Sequence, residues 1–142
     1  MLPKARLMVN AAVAHQVLGK APEDLSPPPH VRTLDGDEQV WRRECVVGPE
    51  WQPLPLGWLE GQQVGLLVVT NEEGKFTQVQ PAAEERAAAL ARVVELGVLA
   101  GPVPAPVTLV RPLTSVMLEP LLPVWARCRT DKAKITVTAV PG

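Results

Sequence analysis

The sequence predicts a mainly β protein, an antiparallel β-sandwich of jelly-roll-like type with one Ala-rich α-helix inserted at about residues 82–96. Three observations predict it. Val64 to Val69 is a short apolar run, broken only by Gly65 and rich in β-branched residues, which reads as a strand buried on both faces. The last two apolar runs alternate strictly. Sixteen prolines are spread along the chain, so many short elements are joined by stiff turns, and about eight short strands with such punctuation favour a sandwich or barrel.

At 142 residues the chain is long enough for one domain with a core, so a single domain over 1–142 is expected. The central feature is Gln62 to Gln80. Asn71-Glu72-Glu73-Gly74 reads as a turn, with Gly74 taking a positive φ, and Phe76 to Gln80 as an alternating return strand.

In chain order, residues 5 to 9 (ARLMV) are a strand candidate, and residues 11 to 18 (AAVAHQVL) are ambiguous between helix and strand. Residues 19–29 form a Pro-rich N-terminal segment expected to be extended and exposed, because Pro27, Pro28 and Pro29 remove three backbone donors. Such an arm lies either along a neighbouring subunit or on the protein's own surface. His30 to Leu34 is a short strand before the turn Asp35-Gly36-Asp37. Gln39 to Val47 alternates, with Trp41, Cys45 and Val47 on one face and Arg43 spoiling the pattern. Trp51 to Leu59 suits an edge segment crossing the end of a sandwich.

Pro81 suits the first position of the helix, with Glu84 and Glu85 in its first turn. Ala83, Ala87, Leu90, Ala91 and Val94 make an apolar stripe at helical spacing, and Gly97 would cap it. A competing reading ends the helix near Ala91 and makes Arg92 to Val98 a strand. Residues 101–106 (GPVPAP) read as an extended connector. VTLVR, SVMLE, VWARCRT and KITVTAV follow as four strands, the last two joined by a tight hairpin at Asp131-Lys132. In them Val124, Ala126 and Cys128 face inward, as do Ile135, Val137 and Ala139.

A formal charge of −1 gives no electrostatic case for nucleic acid or an anionic membrane, and no segment approaches a membrane span. The N-terminal apolar run is too short and too interrupted for a signal peptide. Cys45 and Cys128 are expected to be unpaired thiols of a cytoplasmically made protein. His15, His30, Cys45 and Cys128 match no metal-binding spacing, so no metal and no cofactor is expected. There is no phosphate-binding loop and no nucleophile elbow; the only serines are Ser26 and Ser115. No catalytic residue is assigned.

Arg127, Arg129, Lys132 and Lys134, with Arg111 nearby, are expected to project from the solvent side of the last hairpin. They serve either as edge protection by charge or as a docking surface for an acidic neighbour. Trp125 falls on the outer face by alternation, where it either anchors an interface or is covered by the helix or the connector. The candidate interface residues are therefore Trp125, Arg127, Arg129, Lys132, Lys134, Pro27, Pro28 and Pro29.

A resemblance adds to this. Pro55 to Gly57 precedes an apolar strand ending in Asn, Leu66 to Asn71; Glu95 to Gly97, Leu109 to Pro112 and Val116 to Pro120 follow; the chain then ends with Val124 to Arg127 and Ile135 to Val140. Over residues 51 to 140 this order resembles the small β-sandwich virion proteins of tailed bacteriophages, which decorate the capsid or build head–tail and tail parts. The Ala-rich helix and GPVPAP stand as an insertion relative to that pattern. The resemblance implies a non-enzymatic, homo-oligomeric structural role, with other virion proteins as partners and the virion as location. Two rivals come from other classes: a small-molecule or carbohydrate-binding β-barrel, compositionally poor with one Phe and no Tyr, and a small enzyme using Cys45 or Cys128 with a histidine.

Overall fold

Paired β-strands are the main regular structure of this chain, as its alternating and β-branched runs require. The computed structural model describes residues 5–9, 14–26, 28, 30–34, 40–75 and 81–142. The chain divides into two compact units, Met1–Gln39 and Val40–Gly142.

In the first unit, β1 (Ala5–Val9), β2 (Ala14–His15), β3 (Glu23–Asp24) and β4 (His30–Leu34) make nested antiparallel pairs. β1 pairs with β4 from Ala5↔Leu34 to Val9↔His30, and β2 pairs with β3. The ambiguous stretch 11–18 thus supplies a strand, and the segment 19–29 is not wholly unpaired. Ladder pairing stops at Asp24, before the prolines, which cannot donate. Pro28 is exposed; Pro27, Pro29 and the turn at Asp35 to Asp37 lie outside the described residues.

The second unit contains β5 (Trp41–Val47), β6 (Gln52–Pro53), a 3-10 turn (Gly57–Leu59), β7 (Val64–Asn71), α1 (Ala83–Leu90), β8 (Val94–Leu99), β9 (Pro104–Val110), β10 (Ser115–Leu118), β11 (Val124–Cys128) and β12 (Ala133–Pro141). They form two four-stranded antiparallel sheets, β10-β7-β12-β5 and β6-β11-β8-β9. Val47, Leu67, Val69, Ile135 and Val137 from the first sheet meet Val94, Leu96, Val110, Ala126 and Cys128 from the second in one buried cluster. This is the β-sandwich with a single helix that the sequence predicts.

β7 is central, flanked by β10 and β12, and is buried on both faces: Leu67 and Val69 join the core, while Leu66 is buried opposite Val140. Gly74 has φ +87, as the turn requires. The expected return strand Phe76 to Gln80 lies outside the described residues.

Four expectations need correction. The helix stops at Leu90 rather than continuing to 96, and Val94–Leu99 is a core strand, as the competing reading has it, so the β-branched run beats helix propagation. Its expected apolar stripe is not its buried face, since only Ala89 of α1 is buried. Pro104, Ala105 and Pro106 are not connector but the start of β9. β9 is an edge strand and its register shifts opposite Leu96/Gly97, two circumstances in which prolines fit a sheet. Finally, β11 and β12 do not form a hairpin. β11 pairs with β6 and β8 while β12 pairs with β5 and β7, so residues 129–132 carry the chain from one sheet to the other.

Candidate docking face

Alternation along β8 and β11 decides what the second sheet shows on its outside. Val94 and Leu96 point into the core, which leaves Glu95, Gly97 and Leu99 outward; Val124, Ala126 and Cys128 point inward, which leaves Trp125 and Arg127 outward. The register places Arg127 opposite Glu95 and Trp125 opposite Gly97. On the other side of β8, Leu109 stands opposite Glu95.

These residues are fixed by one another. The Arg127 Nε donates to Glu95 Oε2 at 2.7 Å, and the Arg129 Nε forms an ion pair with Glu95 Oε1 at 2.9 Å. One carboxylate thus orients two guanidinium groups and leaves one net positive charge. The Arg127 guanidinium lies 4.3 Å from the ring centroid of Trp51, a stacked cation–π arrangement. The Trp51 ring in turn lies over Gly97, where a Cβ would meet its Cη2 at 2.8 Å and the Ala105 carbonyl oxygen at 2.7 Å. Only glycine fits there, so Gly97 positions the ring and the ring positions Arg127. Glu95 and Arg127 are largely sheltered, whereas the Arg129 side chain is 64% exposed. Aromatic and Arg side chains locked this way are the usual anchors of interfaces.

The structure therefore brings together Trp125, Arg127 and Arg129 from the expected cluster, and separates the lysines from them. The Lys134 ammonium pairs with Glu44 at 3.1 Å on the outer side of the first sheet, an exposed pair of little energetic weight. Lys132 borders a shallow surface depression with Val46, Pro49, Glu50 and Gln52. Arg111 is exposed, and its carbonyl accepts from the Thr114 hydroxyl at 2.7 Å. The single basic patch is corrected by the crossover between β11 and β12, which puts Lys134 in the other sheet. Glu95 and Trp51 are residues that sequence reasoning missed; the alternation of VVELGV marks Glu95 as outward, the register with β11 sets it opposite Arg127, and Trp51 carried no such signal.

At one end of the sandwich, the fully buried Asn71 side chain ties the two sheets together. Its Nδ2 donates to the carbonyls of Arg92 (2.8 Å) and Val110 (2.9 Å), and its Oδ1 accepts from the Glu73 N–H at 3.0 Å. Glu73 also accepts from Arg92 and from the Lys134 N–H, and Arg92 reaches Asp131. Glu72 pairs with Lys75 and accepts from the Thr136 hydroxyl at 2.8 Å. These bonds, the Lys75 contact first, hold its carboxyl below the usual carboxylate range. At the other end, a groove of about 560 Å³ lies between Leu54, Leu56, Val64, Leu67 and the Pro120–Pro123 loop.

Neither cysteine is bridged; Cys128 is buried, and burial pushes the half-buried Cys45 thiol up, away from the thiolate. Among the described residues no group of three or more His, Cys, Asp or Glu side chains is placed to hold a metal. No family model, no curated protein and no solved structure matches this chain.

Proposed function

We propose that this protein is a structural component of a tailed-phage-like particle, acting by self-association and by docking on neighbouring capsid or tail subunits. The observation that carries the reading is the apolar exposure along the open side of the second sheet. Leu99, Val107 and Leu109 are 47, 56 and 50% exposed on or beside the edge strand β9, next to the locked Trp51–Arg127–Glu95–Arg129 group. The prolines and the register shift of β9 blunt it against strand pairing, so what is left for a partner is the exposed apolar face, a kind of surface that marks interaction sites. A protein of this kind works through buried area, with sheet edges and faces as its functional parts. Among the described residues no helix is long and apolar enough to cross a membrane; residence in a virion is part of the proposal.

A second reading, a small-molecule-binding module, has one observation in its favour, the apolar groove beside Pro120–Pro123. Its described lining is aliphatic and polar. Molar mass by light scattering over a concentration series separates the two. A particle component assembles into a discrete oligomer, which Leu109→Glu weakens without loss of folding. A ligand module stays monomeric and binds apolar probes.

A further inference from the structure

Two surfaces of the Val40–Gly142 unit have opposite charge and lack partners among the described residues. The first is the outer face of the second sheet, where Glu95 holds Arg127 and Arg129 through their Nε atoms. The terminal nitrogens of both groups make no hydrogen bond to a described residue. Leu109 and Trp125 flank this pair. The second is α1, an eight-residue helix exposed everywhere except at Ala89. Eight residues are too few to hold a helix in water unaided. On the cylinder surface Glu84, Ala87, Ala88 and Ala91 share the face pointing away from Ala89. Its far end is anchored: the Ala91 carbonyl accepts from the Thr130 hydroxyl at 3.2 Å, and Arg92 is held by Glu73 and Asp131. The helix therefore presents one carboxylate followed by small side chains, a shape that permits close approach of a flat surface.

We infer that α1 of one copy seats on the outer face of the second sheet of another copy, with the Glu84 carboxylate taken up by the terminal nitrogens of Arg129 and Arg127. The inference rests on the self-association proposed above and supplies its contact. The charges are complementary, one net positive on the receiving face against one carboxylate on the presented helix face. The guanidinium groups are already oriented by Glu95 and Trp51, so little side-chain entropy is lost on binding. Ala87 and Ala88 would cover Leu109 and Trp125. Each copy offers one helix and one receiving face. Used reciprocally across a twofold axis the contact closes a dimer; repeated head to tail it closes a ring or extends a filament.

The test is light scattering of the full chain over a concentration series, with circular dichroism as a folding control. Glu84→Arg lies on an exposed helix face and leaves the fold intact. It is expected to raise the concentration of half-association by about tenfold or more, as is Arg129→Glu. The double variant E84R/R129E, which restores opposite charges, is expected to recover association. A wild-type oligomer that E84R does not weaken overturns this contact and leaves self-association standing, as does loss in both single variants without recovery in the double. A wild-type monomer at every concentration overturns both.

Discussion

Asn71 shows what a single side chain does here. Its position after an apolar run marks it as a turn former, and the turn is there, but the amide also spans the two sheets by bonding Arg92, Val110 and Glu73. Asn71→Ala leaves two carbonyls and an N–H without this partner, so it is expected to destabilise the protein by about 3 kcal/mol in urea unfolding. A loss below about 1 kcal/mol would contradict the role. Gly97→Ala drives a methyl group against the Trp51 ring and the Ala105 carbonyl. It is expected to cost about 1–3 kcal/mol and to change the tryptophan fluorescence as the ring leaves Arg127. Unchanged fluorescence would mean that the ring is not held from below. Glu72 sets a pH dependence. Its carboxyl is held down chiefly by Lys75 and then by Thr136, with burial opposing. A carboxyl depressed in the folded state contributes stability that is present above its unfolded value and lost as pH falls through the folded one. Thermal stability should therefore decline on acidification through and below the ordinary carboxylate range, and more shallowly in Glu72→Gln. Equal slopes would contradict the assignment.

Among the elements, legibility follows from what each period encodes. Strands whose two faces differ, such as β11 and β12, could be read with their inward residues named, because a period of two fixes which side chains share a face. Their partners could not be read, because periodicity carries no information on which sheet a strand joins. Val124 to Val140 with Asp131-Lys132 between them looks the same as a hairpin or as a crossover. The helix end was open for a related reason. VVELGV fits a helical stripe as well as a strand, and the core contacts of Val94 and Leu96 decide it. The prolines of β9 obscured its start, since their tolerance depends on an edge position that only the topology supplies. α1 itself is barely packed, so backbone amides of residues 87–90 are expected to exchange with solvent faster than those of β7 and β12 in the isolated protein. Protection of α1 equal to that of β7 in a dilute monomeric sample would show that it needs no partner.

For the whole molecule, the sandwich was legible because composition, punctuation and alternation agree on it. The candidate face was legible only in part. Trp125, Arg127 and Arg129 could be placed outward by alternation, while Glu95 and Trp51 enter through cross-strand register and through a ring that packs from outside the ladder. Within the Val40–Gly142 unit the result is a sandwich with a closed core, and the described residues on the outer side of its second sheet set fixed charge at the centre and apolar side chains around it. Such a surface gains most by burial against another protein. The most direct test of that account is the molar mass in solution from about 10 µM to about 500 µM, a range suited to self-association of micromolar affinity. The account predicts a discrete oligomer whose population grows with concentration and falls in Leu109→Glu. A strict monomer across the whole range would contradict it.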